Sequence, residues 1–356
     1  MPEHDGTRHG STGHDGEILD EGLARLASTG PEYRGGLSNH GPMAAEALVR
    51  LGRAGDVPHW LDGYLRRLDA PPRPGDRITD ETWRDALGNA KRVADWETYL
   101  GAQLAEEPWR NVLARWWPRL VPGVAAAATH GIIRASHAAR GLADGQAPER
   151  TAELARGLAY WAATYFELPG TRRTSGHLDL TAAVRGLPVR ATVPANGLIT
   201  EQLRARLGED TELPAAAAAL RPPADVQADL LELATTFARA FLVYGRQRPI
   251  GLLHAVTAPT AARSVLPLLP AEVARDTYDA LWQVDAALYA VYASGAAPEP
   301  IPQAAPPTPE DLTDRAVATG DEHAIKLTEA CLRLHAEHPD PILLHAAARA
   351  SDLLSG

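Results

Sequence analysis

Apolar positions recur at helical spacing along almost the whole chain. Ile18, Leu19, Leu23 and Leu26 make one stripe. Ala44, Ala47, Leu48 and Leu51 make a second, opening just after Pro42, a residue suited to a first helical turn. Trp60, Tyr64, Leu65 and Leu68 make a third. The pattern predicts helices over 95–106 and 108–119, split at Pro108, and over the Ala-rich runs 124–143 and 149–167. Residues 225–245 predict a long apolar helix ending at Gly245, and 271–294 another, rich in Tyr and Leu. Helices over 308–319, 321–338 and 341–354 close the chain. Strand-like alternation is confined to Leu187, Val189, Ala191 and Val193, too short to define a sheet. The fold class expected is all-α: a single large multi-helix domain over 17–356, with no internal repeat. An irregular stretch containing Arg and Gly (168–200) and a Pro-rich connector (295–309) interrupt it, and the last three helices pack back onto the rest.

Composition narrows the function classes. The chain has 356 residues and a net charge of −10 with no basic block, which argues against a nucleic-acid partner. A single cysteine, Cys331, excludes an internal disulfide and any cysteine-based zinc site, and fits a reducing compartment. There is no apolar leader and no run near the roughly 20 apolar residues of a membrane span. A cytoplasmic location is expected, and heavy use of Ala, Arg and Pro suggests a bacterial, GC-rich genome. Residues 1–16 are Gly-rich and polar, so they predict a disordered tail in which His4, His9 and His14 are solvated.

Four histidines stand in apolar or Gly/Pro-punctuated settings: His40 before a helix in LSNHGP, His130 within an Ala/Gly-rich helix, His254 in LLHAVTAP, and His323 at the head of a helix. Neutral imidazole suits Fe, Zn, Cu or Ni, and small neighbours let helices close around such a site. No two form a local chelate, so tertiary packing must assemble the site. Lys326 follows His323 by three residues. The chain has only two lysines against 33 arginines. Lysine, unlike arginine, can lose its proton when buried and then act as a base, form a Schiff base or take up carbon dioxide as a carbamate. The residues alone leave a second reading open, in which the histidines are core hydrogen-bonders of a helical protein that binds a hydrophobic small molecule. His137 shares a face with His130. His59, His335, His338 and His345 read as surface or helix-end residues, His177 as part of the irregular stretch, and Cys331, Trp109, Trp116 and Trp117 as core. Arg172 and Arg173 read as solvated or lining an entrance.

Four segments carry a resemblance: LSNHGPMAAEALVRLG (37–52), AAATHGIIRASHAARGL (126–142), GLLHAVTAPTAARSVLP (251–267) and GDEHAIKLTEACLR (320–333). In these the chain resembles the bacterial members of the questin oxidase-like proteins, whose fungal members open anthraquinone rings in aromatic polyketide pathways. The resemblance implies an oxidoreductase that uses molecular oxygen on an aromatic or quinone substrate. Two routes are implied. One is a Baeyer–Villiger-type insertion that draws on NADPH; the other is a non-haem Fe(II) oxygenase. The second fits better, because no GxGxxG follows a strand and nothing predicts a parallel sheet. Carried over, His40, His130, His254 and His323 would be the metal ligands and catalytic residues, with Lys326 as a carbamate fifth. That anion would replace the carboxylate of the usual two-histidine site and leave one octahedral position open. Arg134 stands where fungal members carry a further histidine, which implies a different substrate side of the pocket. Tyr160, Trp161, Tyr165 and Phe166 are candidate walls.

Overall fold

The structure, a computed structural model, describes residues 8–170, 173–191, 196–208 and 212–355. Among these, seventeen α-helices alternate with short 3-10 turns, and the one sheet is a two-residue hairpin, Glu32–Tyr33 against Leu37–Ser38. The all-α reading holds. The central packing unit is a ring of four helices: Gly41–Arg50, His130–Asp144, Pro249–Val265 and Glu322–Glu337, each touching the next and the last touching the first. Pro148–Ala163 covers the second of these, Val226–Tyr244 the third and Pro341–Leu354 the fourth. Residues 296–308 form no helix, and the three helices beyond them pack back against the earlier ones.

Small residues set how closely the ring closes. A Cβ at Gly131 would stand 2.7 Å from the Trp161 side chain, and one at Gly157 3.0 Å from the Ala135 backbone. These glycines let the His130 helix lie against Pro148–Ala163. Three ring helices are also tied by buried charge. Arg140 donates to Glu46 (2.9 Å) and to Glu329 (2.9 Å), His137 meets Glu46 at 2.8 Å, and Arg50 and Arg333 brace the two carboxylates from outside. Glu46, His137 and Glu329 each lie six or seven residues beyond their helix's histidine, about 10 Å along the axis. Meeting at both levels, these three helices run in the same direction.

The structure departs from the sequence expectations in several places. The first helix is Arg8–Leu26, so residues 8–16 of the expected tail are helical. Arg150 reaches across to the Gly16 carbonyl (3.0 Å) and Asp20 (2.5 Å), anchoring that helix by tertiary contact. His4 lies outside the described residues, as do the side chain of His9 and all of Arg172. The run 124–143 is helical only from His130. Ahead of it, Trp161 donates to the Gly123 carbonyl and Val124 bridges to Phe166, which draws the chain off the helix path. The described residues from 187 to 191 form no strand. His345 is buried, not a surface residue. Cys331 and Trp109, Trp116 and Trp117 are core, as expected.

Candidate metal centre

Each of the four histidines sits at or near the N-terminal end of a ring helix, and the local sequence explains why. Asn39 fixes the first start. Its carbonyl oxygen accepts from the Gly41 N–H (2.9 Å), while its amide donates to Gly30 (2.8 Å) and Thr29 (3.0 Å). That leaves His40 at the N-cap, with Pro42 in the first turn. His130 opens its helix after three residues with left-handed backbone, Ala127, Ala128 and Thr129, at φ of 44°, 57° and 71°. Non-glycine residues adopt this conformation at a cost of about 1–2 kcal/mol each, and such strain collects at functional sites. His254 lies in the second turn of its helix. His323 follows the Asp321 N-cap, whose carboxylate accepts from the His323 and Ala324 N–H groups.

The rings meet. One nitrogen from each of His40, His130, His254 and His323 lies within 4.8 Å of the others. His40 is in edge contact with His130 and His323 (centroids 4.5 and 4.4 Å), and His130 with His254 (4.5 Å). The donor roles follow from the outer contacts. His130 Nδ1 lies 2.6 Å from the Ala127 carbonyl and must carry the proton, which leaves a bare lone pair on Nε2. That lone pair faces His40 Nε2 at 2.6 Å. His40 Nδ1 lies 3.6 Å from the Glu322 carboxylate, beyond hydrogen-bond reach, and has no hydrogen-bond partner among the described residues. Asp321 stands 3.4 Å from His323 Nδ1. Neither ring nitrogen of the fully buried His254 has a hydrogen-bond partner. The 2.6 Å contact is satisfied when His40 Nε2–H donates to the His130 Nε2 lone pair, a proton that a bound cation would replace, and orphaned buried nitrogens call for a ligand. Nitrogens bound at about 2.1 Å sit roughly 3 Å apart when adjacent and about 4.2 Å apart across an ion, close to the span observed. The four-histidine group can hold a metal.

Electrostatics keep three of the four rings neutral. Burial pushes His40, His130 and His254 well below the ordinary imidazole range. The Lys326 charge adds to this, first after burial for His40 and His130, while neighbouring histidines come before it for His254. Three helix starts at the cluster add partial positive charge and favour an anion beside it. Lys326 is 1 % exposed and, among the described residues, its Nζ has no hydrogen-bond partner. Burial pushes its amine down to about 8, opposed by Glu322 and Asp321. Lys91, the other lysine, is exposed.

All four histidines line a cavity of about 730 Å³, within the range of small-molecule sites. Apolar walls come from Tyr33, Leu37, Leu198, Ile199, Ile250 and Tyr292. The expected walls are elsewhere. Tyr160 and Trp161 are buried core residues, and Tyr165 and Phe166 pack against the core outside the cavity lining. Arg134 does not reach the cavity; it forms a buried bidentate pair with Glu153 (2.6 and 2.9 Å) between two helices. Exposed Arg173 pairs with Asp276 at 2.9 Å, away from the cavity, and His177 is also exposed. Sequence reasoning passed over Tyr33, Glu32, Ser38 and Glu322. Only Glu322 left a signal, as an acidic residue directly before His323.

The model of one family, described as questin oxidase-like, matches residues 39–331, a span that contains all four histidines and Lys326. No curated protein and no solved structure matches the chain.

Proposed function

The chain belongs to the questin oxidase-like family, and from that premise we propose that it is a non-haem iron oxygenase acting on a polycyclic aromatic or quinone substrate of polyketide type. In this reading His40, His130, His254 and His323 hold Fe(II), and Lys326 joins them as its carbamate. The observation that carries the reading is four imidazole nitrogens within 4.8 Å beside a buried amine that has no hydrogen-bond partner.

Bound iron would supply the activation of molecular oxygen. The chain's own residues prepare the place. The Ala127 carbonyl holds His130 with Nε2 turned inward, and the Glu322 carboxylate stands 3.6 Å from His40 Nδ1. Tyr33 and Arg67 hold Glu322 in turn, at 3.5 and 2.9 Å. An amine near 8 is partly neutral at physiological pH, so its lone pair can add to the carbon of carbon dioxide. One N–H proton then leaves to solvent, and the resulting carboxylate offsets metal charge that four neutral imidazoles cannot. The apolar walls receive the flat substrate and thin out water around the reacting ring.

Elemental analysis of freshly purified protein tests the proposal, run on wild type, His323→Ala and Lys326→Arg. The expected result is near-stoichiometric iron in wild type that is lost in both variants, with quinone-dependent oxygen uptake only in the loaded protein. Iron and activity retained in Lys326→Arg would remove the lysine from the site. Quinone oxidation that needs NADPH and survives complete metal removal would overturn the iron reading.

A further inference from the structure

The cavity carries an acid that no metal chemistry uses. Among the described residues Glu32 is its one carboxylate-bearing wall residue. It sits on the small hairpin, seven residues before the span matched by the family model. Its carboxylate is held from behind by a short chain of hydroxyls. Tyr160 donates to Glu32 Oε1 at 3.0 Å, and Ser38 Oγ lies 2.7 Å from the same Tyr160 oxygen. Since the Tyr160 proton goes to Glu32, Ser38 must be the donor to Tyr160. Burial, and next to it the Glu32 charge, raise the Tyr160 phenol well above its ordinary range, so it stays a donor. The relay fixes one carboxylate oxygen, and among the described residues Oε2 has no hydrogen-bond partner. Ser38 stands two residues before His40, so one strand of the hairpin connects the acid's support to the histidine cluster.

We propose that Glu32 is a specificity-determining residue that accepts a hydrogen bond from a free phenolic hydroxyl of the substrate, and that Tyr160 is the positioning residue that aims it. The substrate class is therefore a hydroxylated aromatic ring system, bound with its hydroxyl at the hairpin and its body along the apolar walls toward the histidines. The proposal rests on the aromatic-substrate reading above but not on iron. A carboxylate beside a largely apolar wall gains most from a hydroxyl donor, because water would otherwise have to be kept there to satisfy it. An ether at the same place offers no donor and leaves the acceptor unmatched.

The test uses the protein as purified, under anaerobic conditions so that nothing turns over. Binding of 2-hydroxyanthraquinone and of 2-methoxyanthraquinone is measured by titration calorimetry for wild type, Glu32→Gln and Tyr160→Phe, with metal content recorded for each. Wild type is expected to bind the hydroxy compound about tenfold more tightly than the methoxy one, the scale of one charge-assisted hydrogen bond. In Glu32→Gln and in Tyr160→Phe that preference falls to about threefold or less, while affinity for the methoxy compound and the metal content stay as in wild type. Equal preference in wild type and Glu32→Gln overturns the proposal. So does loss of both ligands in parallel, which would mark damage to the cavity and not to recognition. Failure of wild type to bind either compound overturns it too, and the metal content then reports separately on the iron reading.

Discussion

Replacing Lys326 with methionine should make the metal-free protein more stable. The two side chains have similar length and volume, so packing is nearly kept. What disappears is an ammonium that burial has stripped of water and that no acceptor satisfies. Holding an amine at about 8 instead of its ordinary 10.5 costs roughly 3 kcal/mol wherever both the folded and the unfolded chain are protonated. The sign follows from proton counting. Below about pH 8 both states carry the proton and the folded state bears the whole penalty. Between about 8 and 10.5 the unfolded chain binds more protons than the folded one, so wild-type stability rises with pH relative to the variant. Above that range neither carries the charge and the penalty is gone. The variant's advantage is therefore roughly 3 kcal/mol near pH 7 and about 1 kcal/mol near pH 10. Urea unfolding of chelator-treated wild type and Lys326→Met at the two pH values measures it, and the difference between differences cancels the titration of every other group. Equal m-values confirm that the same transition is compared. A variant less stable than wild type near pH 7, or an advantage independent of pH, would refute the argument that this lysine is buried against its own charge. A residue kept at such a cost to the empty protein is one whose use lies elsewhere.

Two further outcomes follow from the ring. Arg140→Met strands two buried carboxylates that Arg50 and Arg333 brace only from outside; a loss of about 3–5 kcal/mol is expected in urea unfolding, and adding Glu46→Gln and Glu329→Gln should recover most of it. Ala128→Gly removes left-handed strain and should raise stability by about 1 kcal/mol; on the proposed iron reading it should also lower metal content at limiting iron, because the Ala127 carbonyl that orients His130 becomes less fixed.

Much of the helical frame is legible from apolar spacing, because most helices bury one face against a single large core. The histidine segments are legible for another reason. Each is punctuated by Pro, Gly or small residues that end up controlling a helix start or a close approach, and Lys326 stands out through the rarity of lysine. What the sequence hides is set by tertiary contact. Ala127 and Ala128 have the highest intrinsic helix propensity and yet are left-handed, since the Trp161–Gly123 hydrogen bond and the Val124 bridge hold the chain ahead of them. The cavity walls at Tyr33 and Leu37 lie on a hairpin too short to give any alternation. Tyr160 and Arg134 occupy the right helices, but their side chains point to Ser38 and Glu32 and to Glu153, and period alone does not say which neighbour a face meets.

The ring of helices also orders events in time. Its four histidines are drawn from positions 40, 130, 254 and 323, and the last of them arrives only after the Pro-rich connector. During synthesis three quarters of the ring is exposed by the ribosome before the closing helix exists, and the loop that this helix must close spans most of the chain. A stalled or C-terminally clipped chain therefore lacks one imidazole and the lysine together. On the proposed reading, metal capture would report that the segment beyond the connector has been made and has docked, and a chain cut within the connector would regain metal only when the two fragments find each other again.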